Sequence, residues 1–237
     1  FDSNSSVNYK NTHSILASYI EYKLTLGKFS AKAGARYEHT WENVEFILGK
    51  GDDFKKNYGN LVPSASFTYN IGAAVNVGVN YNMRISRPGI SFLNPYIDRS
   101  TPTVLTYGNP NLDVEESHKV NLVFNAFTPK FMINLTLGEA FANNQIEQYS
   151  FMDANGILNT TYGNIVRSRW TNFNTFINYS LTPNTRIFLN GGFDYGDMRS
   201  DKLGQKKHAW QATAFIGLQQ TLPWNVKMSI YTGGMTK

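Results

Sequence analysis

The sequence predicts an all-β protein, an antiparallel transmembrane β-barrel of which this chain carries about ten strands as a single partial domain over 1–237. Three observations predict it. Apolar and polar residues alternate one for one over stretches of roughly nine to thirteen residues, the length a strand needs to cross a bilayer and about twice that of a soluble strand. The connections between these stretches alternate between very short turns and longer polar excursions. Aromatic residues gather at both ends of the alternating stretches, as two interfacial girdles would require.

The opening strand carries Leu16, Ile20, Tyr22, Leu24 and Leu26 on one face, with Ser18 as an exception, and turns at Gly27-Lys28 into Phe29, Ala31, Ala33, Ala35 and Tyr37. The hairpin that follows has Leu61, Pro63, Ala65, Phe67 and Tyr69, then Val75, Val77, Val79, Tyr81 and Met83 opposed by Asn76, Gly78, Asn80, Asn82 and Arg84. Ten residues without an error are a strong period-2 signal. Val120 to Ala126, Phe131 to Leu137, Phe173 to Leu181, Ile187 to Tyr195, Trp210 to Leu218 and Val226 to Ile230 continue it. Phe29, Tyr69, Phe127, Phe131, Tyr179 and Trp224 stand beside the short turns, and Tyr37, Tyr81, Tyr195 and Trp210 toward the other ends.

One charge breaks the rule: Glu139 follows Leu137 in the register that should face lipid. Either it lies at the interface or a bulge at Gly138 turns it inward, since glycine in a strand often marks a bulge. The excursions are expected at about 46–60, 85–116, 152–156 and 197–207, with Asn155-Gly156 making a tight primed turn. The longest, 85–116, contains Pro88, Pro95, Pro102 and Pro110 and is expected to be ordered. No helix is expected, and no apolar run is long enough for a membrane-spanning one.

Composition agrees with wet, uncharged strand interiors. Charged residues are 16% against about 25% in soluble domains, and there are 27 Asn and 19 Gly. The net charge of +5 is spread in ones and twos among acids, which argues against nucleic acid. Without cysteine, thiolate metal sites and cysteine nucleophiles are excluded. His13, His39, His118 and His208 show no metal-ligand spacing, so neither metal nor cofactor is expected. Glu38 and His39 alternate faces and no activated nucleophile is recognisable, so the chain is not expected to be an enzyme.

Four blocks carry a family resemblance. Gly34-Ala35-Arg36-Tyr37-Glu38-His39-Thr40, Leu61-Val62-Pro63-Ser64, Tyr81-Asn82-Met83-Arg84-Ile85-Ser86-Arg87-Pro88 with Phe92-Leu93-Asn94-Pro95-Tyr96, and Gly108-Asn109-Pro110-Asn111-Leu112 with Glu115 follow one another across about 30–125. Together they resemble the barrel domain of TonB-dependent outer-membrane receptors, in the outer-membrane β-barrel family common in Bacteroidota. The match departs at Val62, where an aromatic is usual, at Val114, where proline is frequent, and at Gly233-Gly234-Met235-Thr236-Lys237, which lacks a closing aromatic.

The resemblance implies a bacterial outer-membrane location, a barrel of about 22 strands filled by a plug, and import of a glycan, siderophore or peptide. The implied partners are outer-membrane lipid, the protein's own plug domain, a TonB-type energy-coupling protein and a surface lipoprotein. The signal peptide, the plug and the remaining strands are expected outside this chain. Lys32, Arg36, Glu38, Asn76, Asn80, Asn82 and Arg84 would face the lumen. In the long loop, Arg87, Asn94, Tyr96, Arg99 and Tyr107 offer groups suited to sugars or anionic chelates, although Asn94-Pro95 and Asn109-Pro110 also read as turn elements. Two other readings remain open at this stage: a complete small barrel acting as adhesin, structural protein or enzyme, and a soluble carbohydrate-binding sandwich.

Overall fold

Antiparallel pairing runs through ten long strands in one sheet. The computed structural model describes residues 8–48, 53–101 and 103–236, apart from the side chains of 99 and 100. The strands are β1 (Asn8–Leu26), β2 (Phe29–Leu48), β3 (Phe54–Asn70) and β4 (Val75–Ser86), followed by a short helix α1 (Ile90–Leu93) and two short strands, β5 (Asp98–Thr101) and β6 (Val104–Thr106). Then come β7 (Glu115–Phe127), β8 (Phe131–Met152), β9 (Leu158–Thr182), β10 (Thr185–Ser200), β11 (Gln205–Thr221) and β12 (Lys227–Met235). The long strands lie in the order β1-β2-β3-β4-β7-β8-β9-β10-β11-β12, each beside its chain neighbour. Among the described residues the sheet is not closed, since β1 pairs only with β2 and β12 only with β11.

The two faces are those that the alternation predicts. Antiparallel partners share a face, so Tyr22, Ala33, Ala65, Tyr81 and Val120 form one continuous row across five strands. The neighbouring rows add Phe29 and Phe67, then Val79, Leu122 and Leu137. Tyr22, Phe29, Phe67, Val79, Val120, Leu122 and Leu137 are all exposed, as lipid-facing groups are when no lipid surrounds them. At the short turns Phe29 lies 4.7 Å from Tyr69 and 5.8 Å from Phe67, ring to ring, in the girdle position. Phe127 departs from that girdle: it pairs with Met132 on the polar face, one residue out of phase with Phe124 and Ala126.

The strands are longer than expected. β2, β8 and β9 run 20, 22 and 25 residues, where about 9–11 cross a bilayer. The excursions expected at 46–60 and 197–207 are therefore mostly strand, the second reducing to the turn 201–204. Residues 49–52 of the first lie outside the described residues. Sequence periodicity misses such extensions because, above the hydrocarbon, neither face must be apolar. The hydrogen-bond ladder alone continues the strand there.

The tip at 153–157 also differs from the expected primed turn. Gly156 has φ 74°, but Asn155 is not in the left-handed region. Instead the Asp153 carboxylate accepts the N–H groups of Asn155 (2.8 Å) and Ile157 (3.0 Å), and so closes a wider loop. Those donors, Ile157 first, hold its carboxyl below the usual carboxylate range.

Glu139 is placed by its register, which is continuous from Ser117–Ala142 to Phe127–Met132 with no bulge at Gly138. It lies on the apolar face between Val120 and Thr171, in the row that also holds Tyr81, Tyr195 and Trp210. Tyr195 and Trp210 carry the outer girdle on β10 and β11, and Thr171 Oγ1 donates to Glu139 Oε2 at 2.5 Å. Gly138 is glycine for a different reason: a Cβ there would fall 2.0 Å from the Asn172 side chain and 2.7 Å from that of Asn121. Replacing Glu139 by leucine should therefore change barrel stability by no more than about 1 kcal/mol, the interfacial value for a charge. Urea unfolding in detergent micelles measures it, and a gain of several kcal/mol would place Glu139 deep in hydrocarbon instead.

Candidate functional site, a loop clasped over the strand extensions

The segment 87–114 leaves β4 and folds over the polar face of the strand extensions. In a one-layer sheet a side chain is buried only where something lies over it. Val44 on β2 and Tyr58 and Val62 on β3 are buried, together with Leu93, Leu112 and Val114 of the segment itself. An expected excursion is thus a small apolar core outside the membrane.

Its first residue is its anchor. The Arg87 guanidinium donates to Glu38 Oε2, while Arg36 Nε stands 2.6 Å from Oε1 of the same carboxylate. The side chains of Glu38 and Arg87 are only 10% and 17% exposed, so this charge-assisted contact is largely shielded from water. Arg87 Nε is buried with no hydrogen-bond partner among the described residues.

Helix α1 is a single turn bracketed by Pro88 and Pro95, with Phe92 N–H donating to Gly89 O (2.9 Å) and Asn94 N–H to Ile90 O (2.8 Å). Four residues carry too little periodicity to be seen in sequence. The chain returns to this turn at Gly108, whose N–H donates to Asn94 O (2.8 Å), and at Asn109, whose N–H donates to Phe92 O (2.6 Å). A Cβ on Gly108 would sit 2.5 Å from Asn94 O and 2.6 Å from Phe92 O, both backbone atoms that cannot swing away. Gly108→Ala should therefore cost the segment about 1–3 kcal/mol of local stability. Faster amide exchange at 92–94 and 108–109 in detergent-solubilised protein is the expected result; unchanged protection would refute the close packing.

The far side of the segment is fixed to β9. Strand β6 pairs in parallel with Leu158–Thr160. Asn109 Nδ2 donates to Tyr162 O at 3.0 Å, and the Phe92 ring lies 4.7 Å from the Tyr162 ring. Asn164 clamps Asp113 in both directions, accepting its N–H at 2.9 Å and donating to its carbonyl at 3.0 Å. Asn144 does the same for the strand start, donating to Val114 O (2.8 Å) and accepting Glu116 N–H (3.0 Å). Asn144 stands beside the register shift between Ala142 and Gln145, which frees it from the ladder. Sequence reading missed these asparagines because their partners are backbone groups far along the chain.

Toward β1–β3, Tyr58 Oη donates to Leu112 O at 3.4 Å. Burial first, then the Glu42 and Asp113 carboxylates, push its phenol up to about 12. Glu42, itself buried, accepts from Asn11 (3.0 Å) and lies 3.0 Å from His13 Nδ1. Among the described residues no cluster of three or more His, Asp or Glu could hold a metal ion.

Of the ligand candidates, Arg87 is committed to Glu38. The Asn94 side chain accepts Tyr96 N–H at 2.9 Å and so makes the turn that Asn94-Pro95 suggested. Tyr96 and Tyr107 are half-buried, and no hydrogen bond or ring contact joins them among the described residues. The side chain of Arg99 lies outside the described residues. Lys32, Arg36, Glu38, Asn76, Asn80, Asn82 and Arg84 share the polar face. Lys32 pairs with Glu21 at 2.7 Å, and Asn76, Asn125 and Asn134 form a side-chain ladder with steps of 3.0 and 2.5 Å.

A family model described as "Outer membrane protein beta-barrel family" matches residues 1–236. The chain belongs to that family. Its place is the bacterial outer membrane, and the receptor-barrel resemblance read from four sequence blocks is borne out for the fold. No curated protein sequence matches. Three solved structures are similar. The copper transporter OprC has a TM-score of 0.63 at 6% identity over 95% of this chain and 40% of that one. A double mutant of the Serratia marcescens hemophore receptor HasR, in complex with its hemophore HasA and heme, gives 0.61 at 12% over 94% and 51%. The FrpB iron transporter from Neisseria meningitidis gives 0.57 at 12% over 95% and 38%. At such identities the likeness is one of fold, and the chain spans about 40–50% of the length of these proteins. For this family member the barrel fold is the shared frame; the ligand is not given by it.

Proposed function

We infer that this chain is part of the wall of a TonB-dependent receptor that imports a scarce or large nutrient, a glycan, a ferric siderophore or a peptide. The observation that carries the reading is the ordered segment 87–114, held on both flanks over the polar face above the membrane. Loops of this length that are ordered are usually functional. A receptor for a scarce ligand must present a fixed surface, and an ordered segment of this kind supplies one. A second feature agrees with a plug: Phe215 and Tyr231 stand exposed on the otherwise polar face of β11 and β12, where an inserted domain would cover them. The partners in this reading are that plug, a TonB-type coupling protein and a surface lipoprotein, and no catalytic role is assigned.

Growth of the host on a panel of glycans, ferric siderophores and peptides as limiting nutrients tests it. Deleting the gene and deleting the coupling protein should abolish growth on the same nutrient. If the deletion strain grows as well as the parent on the whole panel, the import reading fails. A plug-type domain upstream and about a dozen further strands in the gene would agree with the receptor.

A further inference from the structure

The membrane-facing side of β9, β10 and β11 changes character in three successive rows. Phe173, Phe193 and Ala212 make an apolar row, then Thr171 stands with the aromatic Tyr195 and Trp210, then Arg169 and Asp197 with His208. The row beyond is Arg167, Arg199 and Lys206, three cations side by side. Each row stands about 7 Å above the last, so the cations begin within one step of the girdle, on the side of the long loop. That is the level of outer-leaflet headgroups.

These charges are poorly neutralised. Asp197 is shared by Arg199 Nε at 3.6 Å and Lys206 Nζ at 3.7 Å, and Arg167 meets only the exposed Asp201 at 3.6 Å. Arg169 makes no described ion pair. Lys202, close by in sequence, lies over the Tyr149 ring at 3.7 Å. Arg167, Arg169, Arg199, Asp197 and Asn143 enclose a cavity of about 120 Å³, room for a phosphate group. Three guanidinium forks around one opening suit a phosphate better than any other membrane headgroup.

We propose that Arg167, Arg169, Arg199 and Lys206 form a binding site for the sugar phosphate of an outer-leaflet glycolipid, with its acyl chains lying on the apolar rows below. Tyr195 and Trp210 would then lie at the sugar level between phosphate and hydrocarbon. The site is independent of any imported ligand.

Native mass spectrometry of the full-length protein in detergent tests this, with a monophosphorylated lipid A, the same lipid without phosphate, and inorganic phosphate as probes. The wild type should bind the phosphorylated lipid about tenfold or more tightly than the dephosphorylated one, and the triple variant R167Q/R169Q/R199Q should lose that preference. Single variants R167Q and R199Q, each expected to lose part of it, serve if the triple variant lacks the heat-resistant folded form. Equal binding of the two lipids, or a preference that survives in the variants, overturns the site. Displacement of the lipid by an equal concentration of inorganic phosphate would make it a free-anion site and overturn the lipid assignment.

Discussion

Val79→Arg lowers the stability of the folded barrel by about 2–4 kcal/mol, the value for a basic side chain near the bilayer midplane. Val79 lies on the apolar face between Phe67 and Leu122, one row from Tyr81 on one side and from Val77 and Tyr69 on the other. A guanidinium there replaces a lipid-facing apolar side chain and must carry its charge out of the hydrocarbon. Asn80→Arg, one residue on, is the matched control. Asn80 sits opposite Ser66 and Asn121 on the polar face, where a long cation meets water and amides. Folding into lipid vesicles followed by urea unfolding should show the first variant shifted and the second near wild type. Equal losses in both would contradict the assigned faces.

Glu38→Ala releases the clasped segment. It leaves Arg87 largely buried with no counter-charge and its already unpartnered Nε still unsatisfied. Breaking a buried ion pair by removing one partner costs about 3–5 kcal/mol; partial exposure lowers that to about 2–3 kcal/mol here, confined to the segment. Amides of Gly108 and Asn109, which close onto α1, should exchange at least about thirtyfold faster, with strands β4 and β7 unaffected below the membrane surface. Unchanged exchange at 108–109 would show that the anchorage at Tyr58, Asn164 and β6 suffices without Arg87.

The contrast between these variants follows how legible each part was. In the membrane, one constraint acts at every second residue: the side chain must be apolar or it must not face lipid. Runs such as Val75, Val77, Val79, Tyr81 against Asn76, Gly78, Asn80, Asn82 therefore carry the register openly. Phe127 shows the limit, because its place near a short turn suggested a girdle residue while the pairing with Met132 puts it on the other face. Above the membrane the constraint vanishes. Glu42, Asn43, Val44 and Glu45 alternate nothing recognisable, yet they continue β2. The clasped segment is harder still, since contacts that hold it join residues up to 54 positions apart, as in Arg87–Glu38 and Tyr58–Leu112. Arg87 and Asn94 offered ligand chemistry in isolation, and the fold turns that chemistry inward.

By itself the sequence determined the class of fold, the two faces of each spanning strand and the family, because lipid imposes a period that no tertiary context can override. Only the tertiary structure decided the strand extensions, the depth of Glu139, the clasp of 87–114 and the cationic rows beside the headgroups. Those depend on which distant residues the pairing brings together, and a pairing between strands leaves no period in the chain.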